Sequence, residues 1–174
     1  LTSMIASLSY FQGVILRTTR VSTTQASMAK NARRPLWRMR FSFSASRRTD
    51  IPAFYMPWFM GQVKKGSFEV TNPFNQRVSL VPATPDKVDT IVFWSKNFGP
   101  FLDKSYGEQL LKLGFHLFFN FTINSDCTNL EPNVPPLKKR LEQLENLCQR
   151  FGPKTINWRF DPLCLFKTEV DRLQ

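Results

Sequence analysis

The stretch from Val88 to Ile123, VDTIVFWSKNFGPFLDKSYGEQLLKLGFHLFFNFTI, decides how this 174-residue chain folds. Its opening, VDTIVFWS, is β-branched and aromatic, and its close, Phe115 to Ile123, is the most strand-like run in the sequence. Between them, Pro100 to Leu113 reads as a helix interrupted by Gly107, with Gly114 to close it. A strand, a helix and a strand at that spacing make a βα unit. Its crossover brings the chain back to the same end of the sheet, so the two strands run parallel.

The rhythm continues in both directions. Upstream, Phe41 to Ser46 predicts a strand, Pro57 to Lys65 a short helix with Gly66 just past its end, and Ser67 to Thr71 a second strand running into the turn-rich Asn72 to Asn75. Downstream, Pro135 to Phe151 places Leu137, Leu141, Leu144, Leu147 and Phe151 at helical steps and stops at Gly152. Thr155 to Phe160 then gives a further strand. Four or five such units predict an α/β fold with a mainly parallel sheet. Because the chain ends in the start of another amphipathic stretch, Glu169 to Gln174, the expected architecture is an incomplete TIM-barrel-like domain over 41–174, truncated at its carboxyl end.

The formal charge of +11 invites a nucleic-acid reading, but its placement decides otherwise. Nine Lys or Arg and no acid precede Asp50, whereas 15 basic and 13 acidic residues stand from Asp50 onward. The excess therefore belongs to a basic, Ser/Thr-rich tail, 1–40, which the composition predicts to be disordered. Its apolar run, Met4 to Leu16, is too short for a membrane span. Lacking a basic segment ahead of that run, the tail fits an organellar transit peptide better than a secretory signal, and without such targeting the chain is expected in the cytoplasm. The three cysteines, Cys127, Cys148 and Cys164, form no CxxC pair, and the single histidine, His116, makes a zinc site within this chain improbable. Reduced thiols are expected, and no metal residue is assigned.

Each strand ends in polar residues, which an ordinary core strand does not need. They are Arg47, Arg48 and Asp50 after the first, Lys96 and Asn97 after VDTIVFWS, Asn120 in FHLFFNFTI, and Arg159 and Asp161 after the last. Parallel strands bring those ends to one rim, the side on which α/β folds bind ligands. Alternation puts Asn157, Arg159 and Asp161 on one face, and Ile156, Trp158 and Phe160 on the face expected to pack under helices. It also groups His116, Phe118, Asn120 and Thr122 opposite Leu117, Phe119 and Phe121. His116, at the start of its strand, reads as structural. The functional reading makes Lys96 and Asp161 the catalytic candidates. Arg47, Arg48, Asp50, Asn97, Asn120 and Arg159 would bind a small anionic substrate or cofactor, the arginines through planar donor forks. The structural alternative is a network of ion pairs, Arg159 with Asp161 or Asp50 and Lys96 with a neighbour, and Asp50 as a turn cap. Both stay open at this stage.

SASRRTDIPAFY from Ser44, WF at Trp58, NPFN at Asn72, VDTIVFWSKN at Val88, LEPNVP at Leu130 and NWRFDP at Asn157 together resemble the uncharacterised, mainly bacterial domain-of-unknown-function family DUF1848. The match runs from about Phe41 to Phe166. The resemblance implies an α/β-barrel-like architecture. It also implies a likeness to radical S-adenosylmethionine enzymes, whose full-length relatives carry a carboxyl-terminal cysteine cluster for an iron–sulfur centre. That cluster is absent here, so none of Cys127, Cys148 and Cys164 is carried over as a ligand, and this chain alone is expected to be inactive. S-adenosylmethionine and the cluster are implied for full-length relatives only. Two other readings compete. One is a non-catalytic nucleic-acid-binding module using the basic tail, with Trp37, Phe54, Tyr55 and Trp58 as stacking surfaces; the other is a truncated, non-functional product.

Overall fold

A computed structural model describes residues 41–45, 49–71, 75–126 and 130–160. Four strands lie parallel in one sheet: β1 (Phe41–Ser44), β4 (Val88–Ser95), β5 (His116–Thr122) and β6 (Ile156–Arg159). Their order across the sheet, β1-β4-β5-β6, is their order along the chain, so each new parallel strand adds beside the one before it. The mixed α/β class and the mainly parallel sheet expected from the strand–helix rhythm are both present.

The second predicted strand has a different role. β2 (Ser67–Thr71) pairs antiparallel with β3 (Val78–Pro82) in a separate two-stranded sheet, so it is no member of the parallel set. No expectation covered β3. Val78 and Leu80 face solvent, and its last residue is proline, so the segment lacks the buried alternation by which a strand is read. The hairpin interrupts the βα rhythm between the first and second parallel strands.

Four α-helices, α1 (Met56–Lys65), α2 (Gly99–Asp103), α3 (Tyr106–Lys112) and α4 (Leu137–Phe151), join a π-helical turn, Ile51–Tyr55, and a 3-10 turn, Pro153–Thr155, among the described residues. Phe43, Ile91, Phe93, Leu117, Phe119 and Phe121 line one sheet face and form a single core with Phe59 of α1, Phe101 of α2, Leu110 of α3 and Leu147 of α4. Phenylalanine dominates it: the Phe93 ring lies 5.4 Å from Phe59, 5.2 Å from Phe101 and 6.2 Å from Phe119. At such separations an aromatic pair contributes about 0.5–1.5 kcal/mol beyond its buried area.

The helix after β4 breaks at Lys104 and Ser105, with Ser105 in the left-handed region at φ 51°, and not at Gly107. Gly107 is instead buried within α3. A β-carbon there would stand 2.6 Å from Cε1 of Phe151 and 3.0 Å from Cε1 of Phe101. Close ring packing, not a turn, explains this glycine.

At β6 one expectation meets a boundary. Ile156 packs against the core, but Trp158 and Phe160 are 61% and 51% exposed. β6 is the edge strand, hydrogen-bonded to β5 on one flank, and no helix among the described residues follows to cover its apolar side.

Candidate functional site

Because the four strands are parallel, their carboxyl ends form one rim, and hydrogen bonds knit it together. The chain leaves β1 and enters a π-helical turn, Ile51–Tyr55, capped by Asp50, whose Oδ1 accepts from the Ala53 amide at 3.0 Å. Its Oδ2 accepts from the Ser95 hydroxyl at 2.8 Å and from the Lys96 amide at 3.4 Å, both at the end of β4. Asp50 is therefore the turn cap of the structural reading and also the tie between two strand ends. Burial raises its carboxyl above the ordinary value of 3.8, against the lowering effect of the bonds from Ser95, Ala53 and Lys96.

Lys96 is held at both ends. Its amide meets Asp50, and its Nζ forms an ion pair with Glu131, which lies on the segment between β5 and α4. This is the lysine–neighbour pair that the structural alternative anticipated. Asn97 is fixed by its own clamp: its Oδ1 accepts from the Gln143 side chain at 2.9 Å and from the Gly99 amide at 3.0 Å, while Gln143 Oε1 accepts from the Phe98 amide at 2.8 Å.

The sheet face opposite the phenylalanine core carries the rest. Register aligns Trp94, Asn120 and Asn157 in one row and Thr122 with Arg159 in the next. Asn120 is 5% exposed, and its Oδ1 accepts from Asn157 Nδ2 at 2.9 Å. Arg159 reaches across β5 and lays its guanidinium 4.9 Å from the Trp94 ring centre, while the Trp94 indole donates to the Ser44 hydroxyl at 3.1 Å. A line of contacts thus runs from β1 to β6. An arginine stacked on an aromatic face keeps its in-plane donors directed outward, which suits planar recognition of a carboxylate or phosphate.

A family model described as Domain of unknown function (DUF1848) matches residues 43–173. The chain belongs to that family. No curated protein and no solved structure matches it. Five of the sequence-predicted residues lie at or near carboxyl strand ends of this DUF1848 chain: Asp50 in the turn after β1, Lys96 and Asn97 just past β4, Asn120 in β5 and Arg159 at the end of β6. Arg47, Arg48 and Asp161 lie outside the described residues, as do Cys127, Cys164 and the tail with Trp37. His116 is exposed at the first position of β5, the far end from the rim. Of the aromatics considered for base stacking, Tyr55 and Trp58 pack against the core and Phe54 is exposed.

Four rim partners were not predicted: Trp94, Ser95, Glu131 and Gln143. Alternation along β4 puts Trp94 on the face of Asn120 and carries the signal for it. Glu131 and Gln143 have no such signal, since each meets its partner across 35 and 46 residues of chain. Among the described residues, no three His, Cys, Asp or Glu side chains gather as a metal requires, and Cys148 is a free thiol on α4. No described helix is long and apolar enough to cross a membrane.

Proposed function

We propose that the carboxyl-end rim binds an anionic substrate or cofactor, in a domain that forms the amino-terminal part of a TIM-barrel-like, radical-SAM-like enzyme. The observation that carries the binding role is Arg159, stacked on Trp94 on the face opposite the core, one row above the paired amides of Asn120 and Asn157. A guanidinium offers a planar donor fork whose geometry matches a carboxylate or phosphate. Lys96 supplies a second cation, and Asp50 fixes the strand ends from which both are presented. Asp161, two positions beyond Arg159, is the proposed second catalytic group.

The barrel reading is supported by strand order. In a doubly wound sheet the order reverses at a switch point, whereas a barrel adds each strand on the same side, as β1-β4-β5-β6 do. The radical-SAM likeness rests on the family resemblance. Since no three His, Cys, Asp or Glu side chains gather among the described residues, no chemical step is drawn through a cluster or S-adenosylmethionine. The nucleic-acid reading is weaker, because two of its four stacking candidates pack against the core.

The test is titration of inorganic pyrophosphate into the full chain and into Arg159→Met, followed by calorimetry. Loss of one charge-assisted arginine contact is expected to weaken binding by about tenfold or more. Unchanged affinity with an intact circular dichroism spectrum refutes the reading; a lost spectrum moves Arg159 to a structural role.

A further inference from the structure

Lys96 lies on the proposed anion rim, yet its ammonium is already engaged by a carboxylate of the same chain. Glu131 is not part of the sheet. It begins the segment Glu131 to Pro136 that leads into α4, and it crosses to the β4 end to meet Lys96. Both side chains are only partly covered, 28% exposed for Lys96 and 27% for Glu131, so solvent and solutes reach the pair. The residues that follow each partner line one cavity of about 650 Å³: Asn97 and Pro100 beyond Lys96, and Pro132, Val134 and Pro136 beyond Glu131. The ion pair thus clasps together the two segments that go on to line this cavity. Gln143 is the fixed point between them, tied to both Asn97 and Phe98.

We infer that Glu131 is a built-in competitor for the anion, and that a ligand's anionic group takes Lys96 from Glu131 and opens the clasp. This rests on the anion-binding reading of the rim. A carboxylate beside the ammonium offsets its charge and repels a second anion at the same place, so an incoming carboxylate or phosphate gains by displacing it. The remaining anchors of the two segments do not depend on the pair. Asp126 accepts from the Leu137 amide at the start of α4, and Asp50 holds the Lys96 amide. Exchange of partner at Lys96 therefore leaves these two anchors in place and releases Glu131. The three prolines of the segment that Glu131 begins, Pro132, Pro135 and Pro136, restrict its backbone, so release moves it as a stiff piece.

Calorimetric titration of inorganic pyrophosphate into the full chain, Glu131→Gln, Glu142→Gln, Arg159→Met and the double variant Lys96→Met with Glu131→Gln tests the inference. Glu142 lines the same cavity but has no bond to Lys96, so its variant controls for the change in net charge alone. Glu131→Gln is expected to tighten binding about two- to fivefold, the range set by exposed and half-buried ion pairs, with no gain for Glu142→Gln and none left in the double variant. Saturable binding in Glu131→Gln alone also supports the clasp. Binding that Arg159→Met weakens but Glu131→Gln leaves equal or weaker overturns the clasp and leaves the rim reading standing. An equal gain from Glu142→Gln reduces the effect to net charge and overturns the clasp. Absence of binding in both the parent chain and Glu131→Gln overturns both.

Discussion

Asp50 is the residue whose replacement tests the rim most directly, because three donors from two segments converge on one carboxylate. Asp50→Ala removes the cap from the π-helical turn, a loss of about 1 kcal/mol by analogy with helix N-caps. The Ser95 hydroxyl has a second acceptor, the Asn97 carbonyl at 2.9 Å, and turns to it, so its loss is small. The Lys96 amide bond is long at 3.4 Å and adds about 0.5 kcal/mol. Against these stands the desolvation of the carboxylate, which its removal relieves. The net expectation for Asp50→Ala is a loss of about 1 kcal/mol, and for Asp50→Asn, which keeps an acceptor for Ala53, about half of that. Urea denaturation followed by tryptophan fluorescence measures both. The pH dependence adds a signed check. A carboxyl with a raised folded-state pKa contributes stability that is present below the unfolded value near 3.8 and is lost as pH rises through the folded one. The stability gap between the parent chain and Asp50→Asn should therefore shrink on going from acid toward neutral pH. A gap that widens with pH, or an Asp50→Ala variant as stable as the parent, refutes the convergence of donors on this carboxylate.

Two further predictions concern the frame around the site. Gly107→Ala should destabilise by about 1–2 kcal/mol in urea, although alanine favours a helix by about 1 kcal/mol, because the added methyl meets the rings of Phe151 and Phe101; a stabilised variant would show that the rings yield freely. Arg140 is 1% exposed, bonds Asp126 through Nη2, and has no partner for Nε or Nη1, so Arg140→Met should leave the urea midpoint unchanged or raise it. Asp126→Ala should lower the midpoint more, since it strands the buried guanidinium and removes the acceptor of the Leu137 amide; the reverse order of the two variants would refute this account. The Leu137 amide, ahead of the Arg140 bond and charge, holds the Asp126 carboxyl below its ordinary value, so this part of the stability is present at neutral pH and lost as acid protonates Asp126.

What was legible in the sequence follows a physical divide. Periods of two and of three to four residues are set by the backbone itself, so β4, β5 and α4 could be read from apolar spacing, and the burial of Phe119 and Phe121 opposite Asn120 and Thr122 follows from parity alone. Parallel strands then send Asp50, Lys96 and Arg159 to one rim without any further information. The tertiary structure alone decided the rest. β3 forms along the hydrogen-bonding edge that β2 offers, with Val81 alone of its apolar side chains packed against the core, and Gly107 is required by a ring of α4 that approaches it from 44 positions along the chain. Asp50 with Ser95, Lys96 with Glu131 and Asn97 with Gln143 are pairings across 35 to 46 residues. Local periodicity carries no record of such partners, because charge and hydrogen-bond pairing depend on distance in space and the fold alone sets that distance.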